Sequence, residues 1–321
     1  MLSIKDLKER ILNGYNITID EAYELYNQPF EELSSAADEI RRYFCGNSFD
    51  MCSITNAKSG HCSENCKFCS QSSFWNTGTD VYSFPSDDKL ISAAKESSES
   101  GIPRFSLVTS GKGMNDSDID DMCRVIRKIK ESNDTDICVS FGLLNENQYR
   151  KLKNAGVDRV HNNIETSERF FPNVCTTHTF SEKINAIKSA KNAGMEICCG
   201  GIFGLGETYI DRIDMAFTIK ELDVKSIPIN MLNPIKGTPL ENNELLSEED
   251  MARICAVFRF IIPDSSIRLA GGRGLMKDNG YLCFISGANA TISGNMLTTS
   301  GTSAKDDFKM LSELGYHVEL V

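Results

Sequence analysis

The stretch Gly60-His-Cys-Ser-Glu-Asn-Cys-Lys-Phe-Cys-Ser-Gln-Ser-Ser-Phe-Trp75 decides how the rest of the chain is read. Cys62, Cys66 and Cys69 form a C-x3-C-x2-C pattern on one short loop. Three thiolates so spaced can hold three irons of a [4Fe–4S] cluster and leave the fourth iron open. Cubic clusters that only carry electrons usually take four cysteines. A missing fourth ligand therefore points to a cluster that acts on a bound molecule. Phe68, just before the last cysteine, is placed to shield such a cluster from water. The competing reading is a zinc knot. Zinc wants four ligands, and the neighbouring His61 directly adjoins Cys62, which is poor geometry for joint chelation.

Upstream of this loop, residues 51–56 read as a strand, and from there the chain alternates strand with helix. Further strands are expected at 104–110, 136–141, 158–165, 196–203, 226–232, 266–271 and 288–293. Helical stretches fall at 86–100, 117–132, 145–155, 181–193, 208–222 and 247–262, with a weaker one at 273–282. Ser86, Ser117, Asn145, Ser181, Thr208 and Ser247 suit the N-cap role, and Gly101, Gly156 and Gly194 suit helix ends. Eight strands in this rhythm predict a (β/α)8 TIM-type barrel over residues 49–321. Ahead of it, residues 1–48 read as an N-terminal helical cap: Ile4, Leu7, Ile11 and Leu12 repeat with helical period, Asp20 can cap a helix at 21–26, and a third helix is expected at 31–44. Chemistry in such barrels sits at the C-terminal strand ends. The cysteine loop follows the first strand directly, which puts its cluster at that mouth.

The 321 residues, 40% hydrophobic and 25% charged, are ordinary for a soluble globular protein. A net charge of −11 argues against nucleic acid as a partner, because phosphate binding needs a basic surface. No apolar run is long enough to span a bilayer, and the first residues lack a signal-peptide core; a cytoplasmic location is expected. Twelve cysteines are too sparse for a disulfide scaffold. Cys45, Cys52, Cys123 and Cys255, in apolar or helical contexts, are expected to be small core hydrophobes.

Several strands carry polar groups where a purely structural barrel has Val, Ile or Leu. Residues two apart share a face, so His161, Asn163 and Glu165 form a ladder toward the mouth, where a carboxylate can hold the two hydroxyls of a ribose. Cys198 and Cys199 should point to opposite sides of their strand. Asn230 and Arg268 interrupt apolar strands, and a buried Arg is rare unless paired or used as a ligand. Thr298 and Thr299 can receive an anion such as a carboxylate through hydroxyl and backbone N–H groups.

The cysteine loop, with its aromatic before the third cysteine, resembles the signature of the radical S-adenosylmethionine (SAM) superfamily. Taken with His161-Asn-Asn-Ile-Glu-Thr-Ser167, Gly200-Gly-Ile-Phe-Gly-Leu-Gly-Glu-Thr208, Pro228-Ile-Asn-Met-Leu232, Gly237-Thr-Pro-Leu240 and Ile267-Arg-Leu-Ala-Gly-Gly-Arg273, it resembles the biotin synthase family of that superfamily. The resemblance implies a homodimeric sulfurtransferase that converts dethiobiotin to biotin with two SAM molecules, taking hydrogen from C9 and then C6. It also implies a flavodoxin or ferredoxin as electron donor, and sulfur from an auxiliary iron–sulfur cluster deeper in the barrel. By position, Asn163 and Glu165 match SAM-ribose contacts and Lys183 a group facing the SAM carboxylate. Asn230 matches a contact to the substrate ring, and Thr298 and Thr299 the site of its carboxylate tail. The family's common auxiliary cluster is [2Fe–2S], held by three cysteines and an arginine. Cys138, Cys198 and Arg268 match three of these positions, but the fourth is Ser106. Extra thiols stand at Cys199 and Cys175. The expectation is a rearranged auxiliary cluster, of four irons, on Cys138, Cys198 and either Cys199 or Cys175. Two rivals share the scaffold: a maturase for iron-only hydrogenase and a methylornithine synthase. A non-catalytic zinc-binding protein is the reading from a different class.

Overall fold

The computed structural model describes residues 3–299 and 301–320. Three helices lead in: α1 (Ile4–Leu12), α2 (Ile19–Tyr26) and α3 (Phe30–Cys45). The strands that follow are β1 (Ser48–Lys58), β2 (Arg104–Thr109), β3 (Asp136–Ser140), β4 (Arg159–His161), β5 (Glu196–Cys198), β6 (Gly201–Phe203), β7 (Ser226–Met231), β8 (Ser266–Leu269) and β9 (Ala290–Ile292). They pair in parallel in chain order, with β5 and β6 as two pieces beside β7, and β9 returns to β1 through Asp50↔Ala290, Met51↔Thr291 and Cys52↔Ile292. The sheet is therefore a closed barrel of the expected (β/α)8 type. A short β10 (His317–Val318) adds to the start of β1 outside the closure.

The crossover helices are α4 (Asp87–Glu99), α5 (Asp116–Ser132), α6 (Glu146–Ala155), α7 (Phe180–Asn192), α8 (Tyr209–Glu221) and α9 (Glu248–Ile261). Each forms because its apolar residues recur on one face; in α5 that face is Ile119, Met122, Cys123, Ile126 and Ile129, all buried. Three caps differ from expectation. Asn115, not Ser117, caps α5, its side chain accepting from Asp118 N at 2.8 Å. Thr179, not Ser181, caps α7 in a reciprocal box with Glu182, and Thr18 rather than Asp20 caps α2 in a box with Glu21. In all three the earlier polar residue takes the extended cap conformation and the later one joins the first turn. Segment 273–282 holds a 3-10 turn at Arg273–Leu275 and the start of α10 (Tyr281–Phe284), and α11 (Ala304–Glu313) follows β9. The three N-terminal helices flank the barrel wall: α2 packs on α8 and α9, α3 on α9 and α1 on α3. No described helix is long and apolar enough to cross a membrane.

Two features of the barrel position the site. The first is a charged floor. Asp50 is fully buried. It accepts from Arg104 Nη1 at 2.7 and 2.6 Å, from Arg159 Nη1 at 3.0 Å and from Arg268 Nη2. Burial alone raises the Asp50 pKa, but Arg268, Arg104 and Arg159 together bring it below the ordinary carboxylate value. The second is the break between β5 and β6. A Cβ on Gly200 would stand 1.9 Å from Pro228 O, and one on Gly201 would stand 2.3 Å from Glu165 O. Only glycines let the strand step inward there.

Candidate active site

A cavity of about 300 Å³ runs down the barrel from its C-terminal mouth. Phe68, Cys69, Ser70 and Gln71 line it from the cysteine loop, and Met296, Leu297, Thr298 and Thr299 from the C-terminal segment. His161, Asn163, Glu165 and Asn230 follow within the barrel, while Cys52, Ser106, Cys138, Cys198, Arg104, Arg159 and Arg268 line the rest.

The cysteine loop is tied down by its own backbone. Cys62 N donates to Gln71 O at 3.0 Å, Ser73 N returns to Cys62 O at 2.8 Å, and Cys69 N donates to Cys66 O at 3.1 Å. Trp75 Nε1 also donates to Cys66 O, at 3.0 Å. Three soft thiol donors held on a fixed loop suit iron. A zinc ion bound at about 2.3 Å spaces its thiolates about 3.8 Å apart. Among the described residues the trio of candidate ligand atoms within 4.8 Å of one another is Cys66, Cys175 and His178, so Cys62, Cys66 and Cys69 are spread wider than one zinc shell. The wider spacing fits a polynuclear cluster.

His161, Asn163 and Glu165 all line the cavity, although β4 ends at His161 rather than running to 165, so Asn163 and Glu165 stand on the loop that follows it. Asn163 Oδ1 accepts from Gly200 N at 3.0 Å, and its amide donates to Glu165 Oε2 at 3.3 Å. Glu165 has a φ of 70°, a left-handed conformation that turns its carboxylate at the end of β4. Lys183, on α7, does not line the cavity; its Nζ stands 3.9 Å from Glu165 Oε1 and 3.5 Å from Asn162 Oδ1. Asn230 donates to Gly201 O at 2.9 Å and accepts from Gly271 N at 2.8 Å, which fixes its amide while leaving one N–H and one acceptor lone pair for a ligand. Thr298 Oγ1 accepts from Ser70 Oγ at 3.2 Å, joining the C-terminal segment to the cysteine loop.

The sulfur-rich pocket departs from expectation in three ways. Cys199 packs in the apolar core rather than lining the cavity, because the neighbouring Cys198, the last residue of β5, takes the inward position. Cys175 also lies outside the cavity lining. Its Sγ stands 3.3 Å from His178 Nδ1 and 3.4 Å from Asn65 Oδ1, within reach of Cys66. The loop carrying it folds over the cysteine loop, and His178 Nδ1 is also 2.6 Å from Glu64 Oε2. Third, Cys52 is a cavity residue rather than an inert core thiol, with Arg268 Nη1 donating to its Sγ at 3.3 Å. The signal for Cys52 was present in strand parity, since it shares a face of β1 with the charged Asp50. Glu64 and His178 gave no such signal, because their meeting depends on a loop fold.

Burial is the largest influence on each pocket thiol. It raises Cys138 to about 12 and also raises Cys52. In Cys198 burial is overcome by His161, whose Nδ1 lies 3.5 Å away, and by Arg268 and Arg159, so that this thiol falls to about 6.

A parallel barrel with a three-thiol loop at its mouth and a cavity-lining carboxylate beneath is the arrangement of a radical SAM enzyme. Residues 57–219 match the Radical SAM superfamily, and residues 228–317 match the Biotin and Thiamin Synthesis associated domain. The chain belongs to the biotin synthase family: it is 55% identical to the biotin synthase of Brachyspira hyodysenteriae over 99% of this chain and 96% of that one. It is 50% identical to a biotin synthase of Clostridium botulinum over 99% of this chain and the whole of that one. Its fold is also that of methylornithine synthase, with a TM-score of 0.85 over 98% of this chain and 97% of that one, at 19% identity.

Proposed function

We propose that this chain inserts sulfur into dethiobiotin at C9 and C6 to form biotin, using two SAM molecules per turnover. The observation that carries the reading is that one cavity joins Cys69 of the cysteine loop, the Asn163–Glu165 pair and a sulfur-rich pocket. A maturase or methylornithine synthase on the same fold is less supported, given the full-length identity to biotin synthases. Cys62, Cys66 and Cys69 would hold the [4Fe–4S] cluster, which when bound supplies the electron that cleaves SAM to methionine and a 5′-deoxyadenosyl radical. Glu165, oriented by Asn163, accepts from the two ribose hydroxyls. Lys183 supports Glu165 from α7, and its charge lies on the side where the SAM carboxylate binds.

Asn230 offers its free N–H and lone pair to the ureido ring of the substrate, and Thr298 and Thr299 take its carboxylate tail. Phe68 and Leu297 keep water from the radical path. Thiols of the sulfur-rich pocket would hold an auxiliary cluster, of the four-iron kind, whose chemistry would be to supply sulfur. Ligand number supports this: each iron of a [2Fe–2S] cluster needs two outer ligands, whereas a four-iron cluster needs one per iron and can leave one iron open. A flavodoxin or ferredoxin donor, a homodimer and a cytoplasmic location complete the reading, by family likeness.

The test is anaerobic. The protein is reconstituted with iron and sulfide, supplied with SAM, a strong reductant and dethiobiotin, and its products are analysed by mass spectrometry. Biotin with 5′-deoxyadenosine is the expected outcome. 5′-Deoxyadenosine without biotin or a thiolated intermediate, from protein with an intact auxiliary cluster, would assign another substrate.

A further inference from the structure

The family's common auxiliary ligand set does not fit this chain. Ser106 offers a hydroxyl where that set has a thiol, and Arg268 is not free to bind iron. Its Nη2 is bound to Asp50, and its Nη1 reaches Thr291 O at 2.9 Å, Asp50 O at 3.3 Å and Cys52 Sγ at 3.3 Å. A replacement thiol stands close by. Cys52 lies on β1 one inward position below the level of Ser106, since the register pairs Cys52 with Arg104 and Ile54 with Ser106.

Three inward thiols therefore come from alternate positions around the wall: Cys52 on β1, Cys138 on β3 and Cys198 on β5. All line the cavity and are 6%, 4% and 6% exposed. A short chain of contacts links two of them. Arg268 touches Cys52 Sγ, Arg268 Nη2 stands 3.5 Å from Ser226 Oγ, and Ser226 Oγ donates to Cys198 Sγ at 3.4 Å. Among the described residues these three sulfurs do not all fall within 4.8 Å of one another, a spread too wide for one zinc ion and suited to a polynuclear cluster.

The surroundings point the same way. Arg104 and Arg268, 2% and 1% exposed, both line the cavity and both leave Nε without a partner. Buried donors are rarely left unmet, and a sulfide-bearing anion beside them would meet that need. These two Nε–H groups would give a thiolate-bound cluster charge-assisted donors on the side of the floor.

We propose that Cys52, Cys138 and Cys198 are the thiolate ligands of this chain's auxiliary iron–sulfur cluster, with Cys52 in place of the thiol that Ser106 lacks. Arg268, clamped by Asp50, serves as an N–H donor to the cluster rather than as an iron ligand. This rests on the biotin synthase reading and gives its sulfur source an address. Cys199 and Cys175 have no part in it.

The assay isolates the auxiliary site in a Cys62/Cys66/Cys69→Ala background, reconstituted anaerobically and followed by iron and sulfide analysis and Mössbauer spectroscopy. The background protein should keep about four irons, the content of a cubic cluster. Adding Cys52→Ser should remove that iron or change its spectrum, and adding Ser106→Cys to Cys52→Ser should restore binding. Cys199→Ala and Cys175→Ala should change nothing. Full iron with an unchanged spectrum in Cys52→Ser, or iron loss in Cys199→Ala or Cys175→Ala, overturns the ligand set alone. A background protein that binds no iron overturns the biotin synthase reading with it. Should Cys52→Ser not fold, anomalous iron scattering from crystals of the unmutated holoenzyme answers instead: iron bonded to Cys52 Sγ supports the assignment, and iron absent there overturns it.

Discussion

Replacing Asp50 by Asn tests whether the charged floor holds the barrel together. Three guanidiniums, Arg104, Arg159 and Arg268, meet on this one carboxylate. Arg104 and Arg159 have second carboxylates, Asp136 at 3.4 Å and Glu196 at 3.0 Å. The network is therefore close to neutral, and Asn at position 50 leaves one buried positive charge uncompensated. Arg268 suffers most, since its other contacts are to carbonyls, a thiol and a hydroxyl. Removing one partner of a buried ion pair costs about 3–5 kcal/mol. At roughly 2 °C per kcal/mol for a large domain, the expected fall in Tm is about 6–10 °C.

The assay is thermal unfolding of the metal-free protein under anaerobic conditions, followed by circular dichroism. The folded-state pKa of Asp50 is depressed, so its contribution is fully present above the unfolded carboxylate value of about 3.9 and is lost as pH falls through the folded value. The gap between parent and Asp50→Asn should thus be constant near neutrality and narrow below about pH 4. A Tm difference under about 2 °C at pH 7 would refute the ion-pair argument, being less than about 1 kcal/mol for a chain of this size.

Two other substitutions address the SAM region. Glu165→Gln should raise the Kd for SAM about tenfold or more, equivalent to about 1.4 kcal/mol; equilibrium dialysis giving an unchanged Kd would remove Glu165 from the ribose site. Gly201→Ala puts a Cβ 2.3 Å from Glu165 O and 2.6 Å from Met215 Sδ. It should cost about 1–3 kcal/mol of stability, as overpacking does, and weaken SAM binding by moving Glu165. Gly194→Ala, with nothing within 4 Å but a φ of +78°, should lose stability through backbone strain alone and bind SAM normally.

Much of the fold was legible because its signals are local. Strand parity brought His161, Asn163 and Glu165 to one cavity even though β4 stops at His161, and the loop after the first strand brought Cys69 to its mouth. The auxiliary pocket was less legible. Parity with Asp50 puts Cys52 on the inward face of β1, but its neighbours Met51, Ser53 and Ile54 do not say which thiols it meets there. Its meeting with Cys138 and Cys198 depends on how far the strands climb around the barrel, which is a property of the closed sheet. Cys175 stands apart from the cavity for a related reason. Asn65 accepts from Thr176 N at 2.9 Å and so pins that loop over Cys66, a contact between residues 111 positions apart. The caps at Asn115 and Thr179 were missed because two polar residues within three positions compete equally for the role.

The closure of β9 on β1 has a consequence in time. The thiols of the mouth emerge early in synthesis, while the strand that seals the barrel and the Thr298 that meets Ser70 come near the end of the chain. From Cys69 to Thr298 lie 229 residues, and at about 5–20 residues per second roughly 11–46 s pass between them on the ribosome. Until then the three cysteines have no closed wall behind them. The cavity and the Ser70–Thr298 contact at its mouth are therefore properties of the completed barrel alone.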